Sequence, residues 1–169
     1  ELVMKKSLSL LFVCFFVLVP ELDAQWVRSG LDSKNIYGLC IHNNHLYAAS
    51  SSEGVFHSTD NGATWIQNNI SNPNPIPMWI ISTGNSLLTG GSEGLNRSTD
   101  NGNTWTKINT HQVYSCCKSG STIFAAVFGL GVEISNNDGV TWINKSNGVD
   151  NSSQRILASG TNVFLGTSS

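Results

Sequence analysis

The sequence predicts an all-β fold built from repeated four-stranded antiparallel sheets. A motif of the form Ser-x-Asp/Asn-x-Gly-x-Thr-Trp occurs three times and ends at Trp65, Trp105 and Trp142, which are 40 and 37 residues apart. Between the motifs, short apolar runs alternate with Asn, Ser, Gly and Thr at intervals of about ten residues, a pattern typical of strands joined by tight turns. A repeat of about 40 residues matches the length of one four-stranded unit.

Each repeat divides into four strands. In the first repeat we expect them at Ile36–Ile41, His45–Ala49, Gly54–Ser58 and Thr64–Gln67. The same offsets place the repeats at about 36–68, 78–108 and 113–145, with a fourth that starts at about 155. Successive sheets of this kind form the blades of a β-propeller. We therefore predict a propeller that is incomplete here, with about three blades plus the start of a fourth.

The motif has the residue types of a hairpin turn. Its glycine supplies a positive φ without a Cβ penalty, and the Asp or Asn two residues earlier can accept hydrogen bonds from the N–H groups of the turn. Its threonine favours the following strand, and its tryptophan covers the turn. Asn137 replaces Asp in the third copy, which indicates that hydrogen bonding matters there more than charge. The expected structural residues are Ser58, Asp60, Gly62, Thr64, Trp65, Ser98, Asp100, Gly102, Thr104, Trp105, Ser135, Asn137, Gly139, Thr141 and Trp142.

This pattern at blade spacing resembles the Asp-box (BNR) repeat β-propellers, and the resemblance covers nearly all of residues 25–169. That family includes sialidases, xyloglucan-degrading glycosidases, sortilin-type receptors and photosystem II assembly or stability factors. The resemblance is closest in character to the assembly-factor-like and sortilin-like members. It implies that each box lies between the third and fourth strands, on the rim away from the active centre. The motif therefore indicates the fold and not the activity.

Residues 1–24 have the order of segments found in a secretory signal. Two lysines precede an apolar run from Leu8 to Val19, and the small residue Ala24 stands before Gln25. The run is about a dozen residues long, whereas a membrane span needs about 20. We therefore expect a secreted, periplasmic or cell-surface protein without a membrane span in its mature part.

The start of the mature chain, residues 25–30, resembles the beginning of a fourth strand. Trp26 lies 39 residues before Trp65, close to the spacing of the repeats. We expect this segment to be a lone outermost strand that completes the last blade and so joins the two ends of the ring.

Composition narrows the function classes. A formal net charge of −2 gives no electrostatic case for nucleic acid or an anionic membrane as a partner. Cys40, Cys116 and Cys117 occupy repeat positions that otherwise hold apolar residues, which favours packing over reactivity. His42 and His45 flank a polar turn without an apparent third ligand, so we expect no metal and no cofactor.

Two functions follow from these features. The family resemblance implies that a sialidase would need three clustered arginines, and only Arg155 is placed to face the centre of the ring. Glu53 and Glu93 recur in equivalent Ser-Glu-Gly turns, which favours turn formation over catalysis. We therefore expect a non-catalytic module that binds a protein or a glycan. The alternative is a secreted glycoside hydrolase, sialidase-like or xyloglucanase-like, with catalytic residues beyond Ser169.

The expected binding face combines two kinds of segment. In a propeller, the connections between blades and the loops between second and third strands share one face. Aromatic residues with a few charges suit protein or glycan contacts, although ordinary packing is the alternative for each, particularly for Trp79. The face would carry Tyr37, Trp79, His111, Tyr114 and Arg155, with Glu53 and Glu93 nearby.

Overall fold

A computed structural model of the chain describes residues 30–68, 76–149 and 151–168. The predicted signal at 1–24 lies outside these ranges, as does the predicted closing strand except for Gly30. The regular structure of the described ranges consists of β-strands. This part of the chain holds no apolar helix of membrane-spanning length.

The strands form antiparallel sheets in which each strand pairs with its neighbour in sequence. The first sheet contains β1 (Ile36–His42), β2 (His45–Ser50), β3 (Gly54–Ser58) and β4 (Ile66–Asn68). The second contains β5 (Pro77–Ser82), β6 (Leu87–Gly91), β7 (Gly94–Ser98) and β8 (Thr106–Asn109). The third contains β9 (Val113–Ser119), β10 (Thr122–Val127), β11 (Gly131–Ser135) and β12 (Ile143–Asn144). The fourth consists of β13 (Ser153–Ser159) and β14 (Asn162–Thr167). The predicted fold class, an incomplete propeller of four-stranded antiparallel blades, is confirmed.

The fourth strand of the first sheet begins later than the sequence predicts. Thr64 was expected to start it, but β4 starts at Ile66. The N–H of Thr64 donates to Asp60 Oδ1 at 2.8 Å, and the indole N–H of Trp65 donates to the carbonyl of Gly62 at 3.1 Å. These two residues therefore belong to the turn.

The sheets pack face to face, so the hydrophobic core is divided into layers between neighbouring sheets. The inner strand β1 contacts β5, β5 contacts β9, and β9 contacts β13. In the first layer, Tyr47 and Val55 pack with Ile80 and Leu87 of the second sheet. Burial of this apolar surface between sheets, rather than within one sheet, is what holds the blades together.

The cysteines take part in this packing. Cys116 is buried, Cys40 and Cys117 are half-buried, and all three are free thiols. Burial raises the pKa of the Cys40 thiol to about 12. A thiol with so high a pKa stays protonated at neutral pH and is a poor nucleophile.

Candidate functional site

The repeated motif forms three turns of one geometry, which we call the motif turns (58–65, 98–105 and 135–142). In the first, Ser58 Oγ accepts the N–H of Gly62 at 2.8 Å and donates to Asp60 Oδ1 at 2.8 Å. Asp60 also accepts the N–H of Thr64 at 2.8 Å and its hydroxyl at 2.6 Å. The indole N–H of Trp65 donates to the carbonyl of Gly62. The second turn repeats every one of these bonds.

The third motif turn uses an amide in place of the carboxylate. Asn137 Oδ1 accepts the N–H of Thr141 at 2.9 Å and the hydroxyl of Ser135 at 3.0 Å. Its Nδ2 donates to Thr141 Oγ1 at 2.8 Å, so the bond to the threonine hydroxyl runs in the opposite direction. An acceptor at this position is sufficient to form the turn, and a charge is not required.

The residue before each motif glycine was missed by the sequence analysis. Asn61, Asn101 and Asp138 have φ values of 57°, 58° and 59°, and the glycines after them are also in the left-handed region. Asn and Asp tolerate this conformation better than other residues with a Cβ. The signal was present in the sequence, since this motif position holds only Asn or Asp.

These residues connect neighbouring sheets. The hydroxyl of Tyr47, in the first sheet, donates to the carbonyl of Asn101 at 2.9 Å, and Asn43 Nδ2 donates to Asn101 Oδ1 at 2.7 Å. In the second sheet, Arg97 Nη2 donates to Asp138 Oδ2 at 2.6 Å and Arg97 Nε donates to the carbonyl of Asp138 at 2.8 Å. The rim that carries the motif turns is therefore occupied by structural hydrogen bonds.

The charge of Asp138 is maintained by its neighbours. Burial by itself raises the pKa of this carboxyl, but hydrogen bonds from Thr83, Ser86 and Arg97 together with the Arg97 charge outweigh burial, and the pKa is lowered. Arg97 is thereby committed to a contact between sheets. It is not free to bind the carboxylate of a ligand, as a sialidase arginine would.

The opposite face is formed by the segments expected from the sequence. The loop after each second strand is hydrogen-bonded to the connection that enters the same sheet. The bonds run from Ser51 N to the Asn35 carbonyl at 3.2 Å, from Phe128 N to the Gln112 carbonyl at 2.9 Å, and from Ser168 N to the Ser152 carbonyl at 3.2 Å. In the first sheet an ion pair adds to this link, with Lys34 Nζ at 2.5 Å from Glu53 Oε2.

A cluster of aromatic and charged side chains lies on this face where β9 begins. Tyr114 and Phe128 meet edge to face with ring centroids 5.8 Å apart. His111 Nδ1 lies 3.4 Å from Oε1 of Glu133, a buried carboxylate that the sequence analysis did not single out. Leu130 follows in the same loop as Phe128 and is exposed. We call these five residues the β9 surface.

Arg155 lies beside the β9 surface on the neighbouring sheet. Its Nη1 is 3.5 Å from the carbonyl oxygen of Tyr114 and donates to the carbonyl of Gln154 at 3.0 Å. Tyr37, by contrast, is exposed on the first sheet. The structure thus brings His111, Tyr114 and Arg155 together, and it places Tyr37 on a different blade.

The prediction that Trp79 contributes to the binding face is wrong. Trp79 is only 7 % exposed and packs in the layer between the second and third sheets. Its indole N–H donates to the carbonyl of Val113 at 2.8 Å. Gly90 makes room for the ring, since a Cβ there would lie 2.7 Å from Trp79 Cζ2. The indole is therefore part of the core and out of reach of a ligand.

The described ranges contain no group of three or more His, Cys, Asp and Glu side chains arranged to hold a metal ion. No protein-family profile and no curated protein sequence matches this chain.

Solved structures match the fold. The chain is part of a β-propeller and is similar to an ancestral GH74 enzyme, with a TM-score of 0.63 and 22 % identity over 85 % of this chain and 23 % of that one. It is similar to YCF48 bound to a D1 peptide, with a TM-score of 0.55 and 15 % identity over 78 % of this chain and 45 % of that one. It is also similar to the extracellular domain of BT4673 from B. thetaiotaomicron, with a TM-score of 0.64 and 18 % identity over 83 % and 21 %. The chain spans less than half the length of each, and identities this low establish the fold alone.

The glycine of the second motif turn provides the first test. Gly102 has φ +81°, and a Cβ there would lie 2.6 Å from Asn68 Nδ2 and 3.3 Å from Tyr47 Cε1. Gly102→Ala should lower the free energy of unfolding by about 2–4 kcal/mol, because left-handed strain and a clash with the first sheet act together. The control is Gly120→Ala, where φ is +56° and nothing lies within 4 Å, with an expected cost of about 1 kcal/mol. Equal costs in urea unfolding would show that the motif turn does not meet the neighbouring sheet.

Acid unfolding tests the hydrogen bonds of the motif carboxylate. Bonds from the side chain and N–H of Thr64 and from Ser58 lower the pKa of Asp60 from 3.8 to about 2. A lowered carboxyl pKa contributes stability that is present above the ordinary pKa and is lost as the pH falls through the folded-state value. The contribution of Asp60 should therefore disappear between about pH 4 and about pH 2.

Two reciprocal variants isolate this effect. Asp60→Asn should fold normally at pH 7, since Asn137 forms the same turn, and it should flatten the loss of stability below about pH 4. Asn137→Asp should make that loss steeper. Urea unfolding at pH 7 and at steps down to about pH 2 measures both. An Asp60→Asn protein with an unchanged acid profile would contradict the assignment.

Proposed function

We propose that the chain is an exported, non-catalytic β-propeller segment that binds a protein or a glycan through the β9 surface. The observation that carries this proposal is Phe128, a loop residue whose aromatic ring is 59 % exposed although Tyr114 supports it on one side. An exposed aromatic side chain held in place by a neighbour loses little conformational freedom on binding and is typical of interaction hot spots.

The β9 surface favours a protein over a glycan. Phe128 and Leu130 together offer an apolar contact area, which an aromatic or aliphatic side chain of a partner would cover. His111 and Glu133 lie next to this area and supply polar contacts at its edge. An apolar centre with a polar rim is the usual arrangement of a protein interface.

Two of the structural neighbours support the proposal by analogy. YCF48 has been solved with a bound peptide, so a propeller of this general shape can hold a polypeptide segment. BT4673 contributes an extracellular domain, which agrees with the export expected from residues 1–24.

The engagement of the acidic side chains supports a non-catalytic role. A glycosidase needs two carboxyl groups that flank a sugar bond and are free to exchange protons or attack. Several carboxylates of the described ranges already have structural partners. Asp60 and Asp100 close motif turns, Asp138 pairs with Arg97, and Glu53 pairs with Lys34.

The second candidate is a secreted glycoside hydrolase, sialidase-like or xyloglucanase-like, with catalytic residues beyond Ser169. The similarity to a GH74 enzyme favours it. Incubation of the chain with xyloglucan and with a fluorogenic sialoside distinguishes the two candidates. The non-catalytic proposal predicts no hydrolysis above a buffer control, and turnover that rises in proportion to protein concentration would contradict it.

Binding can be tested with an array of immobilised peptides rich in Phe, Tyr and Leu, together with a glycan array that includes xyloglucan fragments and sialosides. We expect retention on peptides, and Phe128→Ser should weaken it by about tenfold or more, because it removes the exposed ring. Val140→Ser is the matched control, since Val140 is similarly exposed but lies in a motif turn on the opposite rim.

Three results would count against the β9 surface. They are an absence of retention on either array, equal weakening by the two variants, and retention that Phe128→Ser does not alter. Retention on the glycan array alone, lost in Phe128→Ser, would keep the surface and replace the protein partner with a glycan.

A further inference from the structure

The first sheet exposes a face that is buried in every later sheet. Leu39 is 68 % exposed, whereas the residues at the same repeat position, Ile80, Cys116 and Ile156, are 3 %, 8 % and 6 % exposed. Each of the three buried residues is covered by the sheet that precedes it. Leu39 therefore marks a receiving face that the described part of the chain does not cover.

The last sheet exposes the complementary face. Phe164 of β14 is 57 % exposed, whereas Tyr47 and Leu88 at the same repeat position are fully buried. Those two side chains reach the motif glycine of the following sheet. A Cβ at Gly102 would lie 3.3 Å from Tyr47, and one at Gly139 would lie 2.9 Å from Leu88. Phe164 is thus a donor side chain of the same kind with no following sheet in the described ranges.

The receiving face contains a groove of the shape that such a side chain needs. A cavity of about 650 Å³ is lined mainly by apolar side chains and includes the glycine and the tryptophan of the first motif turn. Its lining includes Leu31, Leu39, Ile41, Leu46, Gly62 and Trp65. Gly62 holds the position that Tyr47 contacts at Gly102 and that Leu88 contacts at Gly139.

Polar groups on the two faces also correspond. Asn61 lines the groove and has φ 57°, and it occupies the motif position whose equivalents, Asn101 and Asp138, accept hydrogen bonds from the preceding sheet. Asp32 lines the other end of the groove, and Arg155 is exposed on the last sheet. The opposite charges of Asp32 and Arg155 favour a head-to-tail approach of the two faces.

We infer that a second copy of this chain docks its last sheet on the groove of the first sheet, with Phe164 seated over Gly62 and Trp65. The chain itself forms this interface between consecutive sheets, which defines both the occupant and its orientation. The contact is heterologous, because one copy contributes its last sheet and the other contributes its first sheet.

The test compares the mass of the purified full chain with that of surface variants by light scattering and sedimentation velocity. The wild-type chain should form dimers or larger species in a concentration-dependent manner. Leu39→Glu and Phe164→Glu should each weaken association by about tenfold or more, because each places an unpaired charge in an apolar contact. Ile143→Glu is the matched control, since Ile143 is exposed on an outer strand, and it should associate like the wild type.

Mixing the two interface variants tests the head-to-tail geometry. Phe164→Glu retains an intact groove, and Leu39→Glu retains an intact last sheet. An equimolar mixture should therefore form a heterodimer through one restored junction, although each variant alone is monomeric. A symmetric contact between identical faces would give no such recovery.

The inference is overturned if the wild-type chain is monomeric at all accessible concentrations, or if Ile143→Glu dissociates it as effectively as the interface variants do. It is also overturned if the mixture shows no heterodimer. Because the substituted side chains are exposed, far-ultraviolet circular dichroism should confirm that each variant keeps the wild-type fold.

Discussion

The structure depends on the packing of one side chain from each sheet against the motif glycine of the next sheet. Tyr47 lies over Gly102, and Leu88 lies over Gly139. Only glycine permits so close an approach at a positive φ, because any other residue would place a Cβ in the contact. The motif therefore does two things at once, since it closes a hairpin within its own sheet and provides a packing site for the preceding one.

This arrangement divides the two rims of the propeller by role. On the motif rim, residues such as Asn101 and Asp138 already have partners in the neighbouring sheet. On the opposite rim, the loops after the second strands are fixed by backbone hydrogen bonds and leave side chains such as Phe128 exposed to solvent. Binding is thus expected on the loop rim, where a change of side chain does not disturb the contacts between sheets.

The strands and turns were predictable because they depend on local patterns. The 40-residue repeat, the alternation of apolar runs with turn residues and the glycine at a positive φ are all visible in a short window of sequence. The burial of Trp79 and the hydrogen bond from Tyr47 to Asn101 were not predictable in this way, because each joins residues of different sheets. Tyr47 and Asn101 are 54 positions apart, and only the relative placement of two sheets brings them together. The β9 surface likewise needed the fold to bring His111 to Glu133.

The contact between Leu88 and Gly139 offers the most direct test of this account, through a double-mutant cycle. A Cβ at Gly139 would lie 2.9 Å from both terminal methyl groups of Leu88, so Gly139→Ala should be less costly once Leu88→Ala has removed those methyl groups. We predict that urea unfolding will give a coupling free energy of about 1 kcal/mol or more between the two substitutions. Strictly additive costs would show that the motif glycine does not receive the side chain of the preceding sheet.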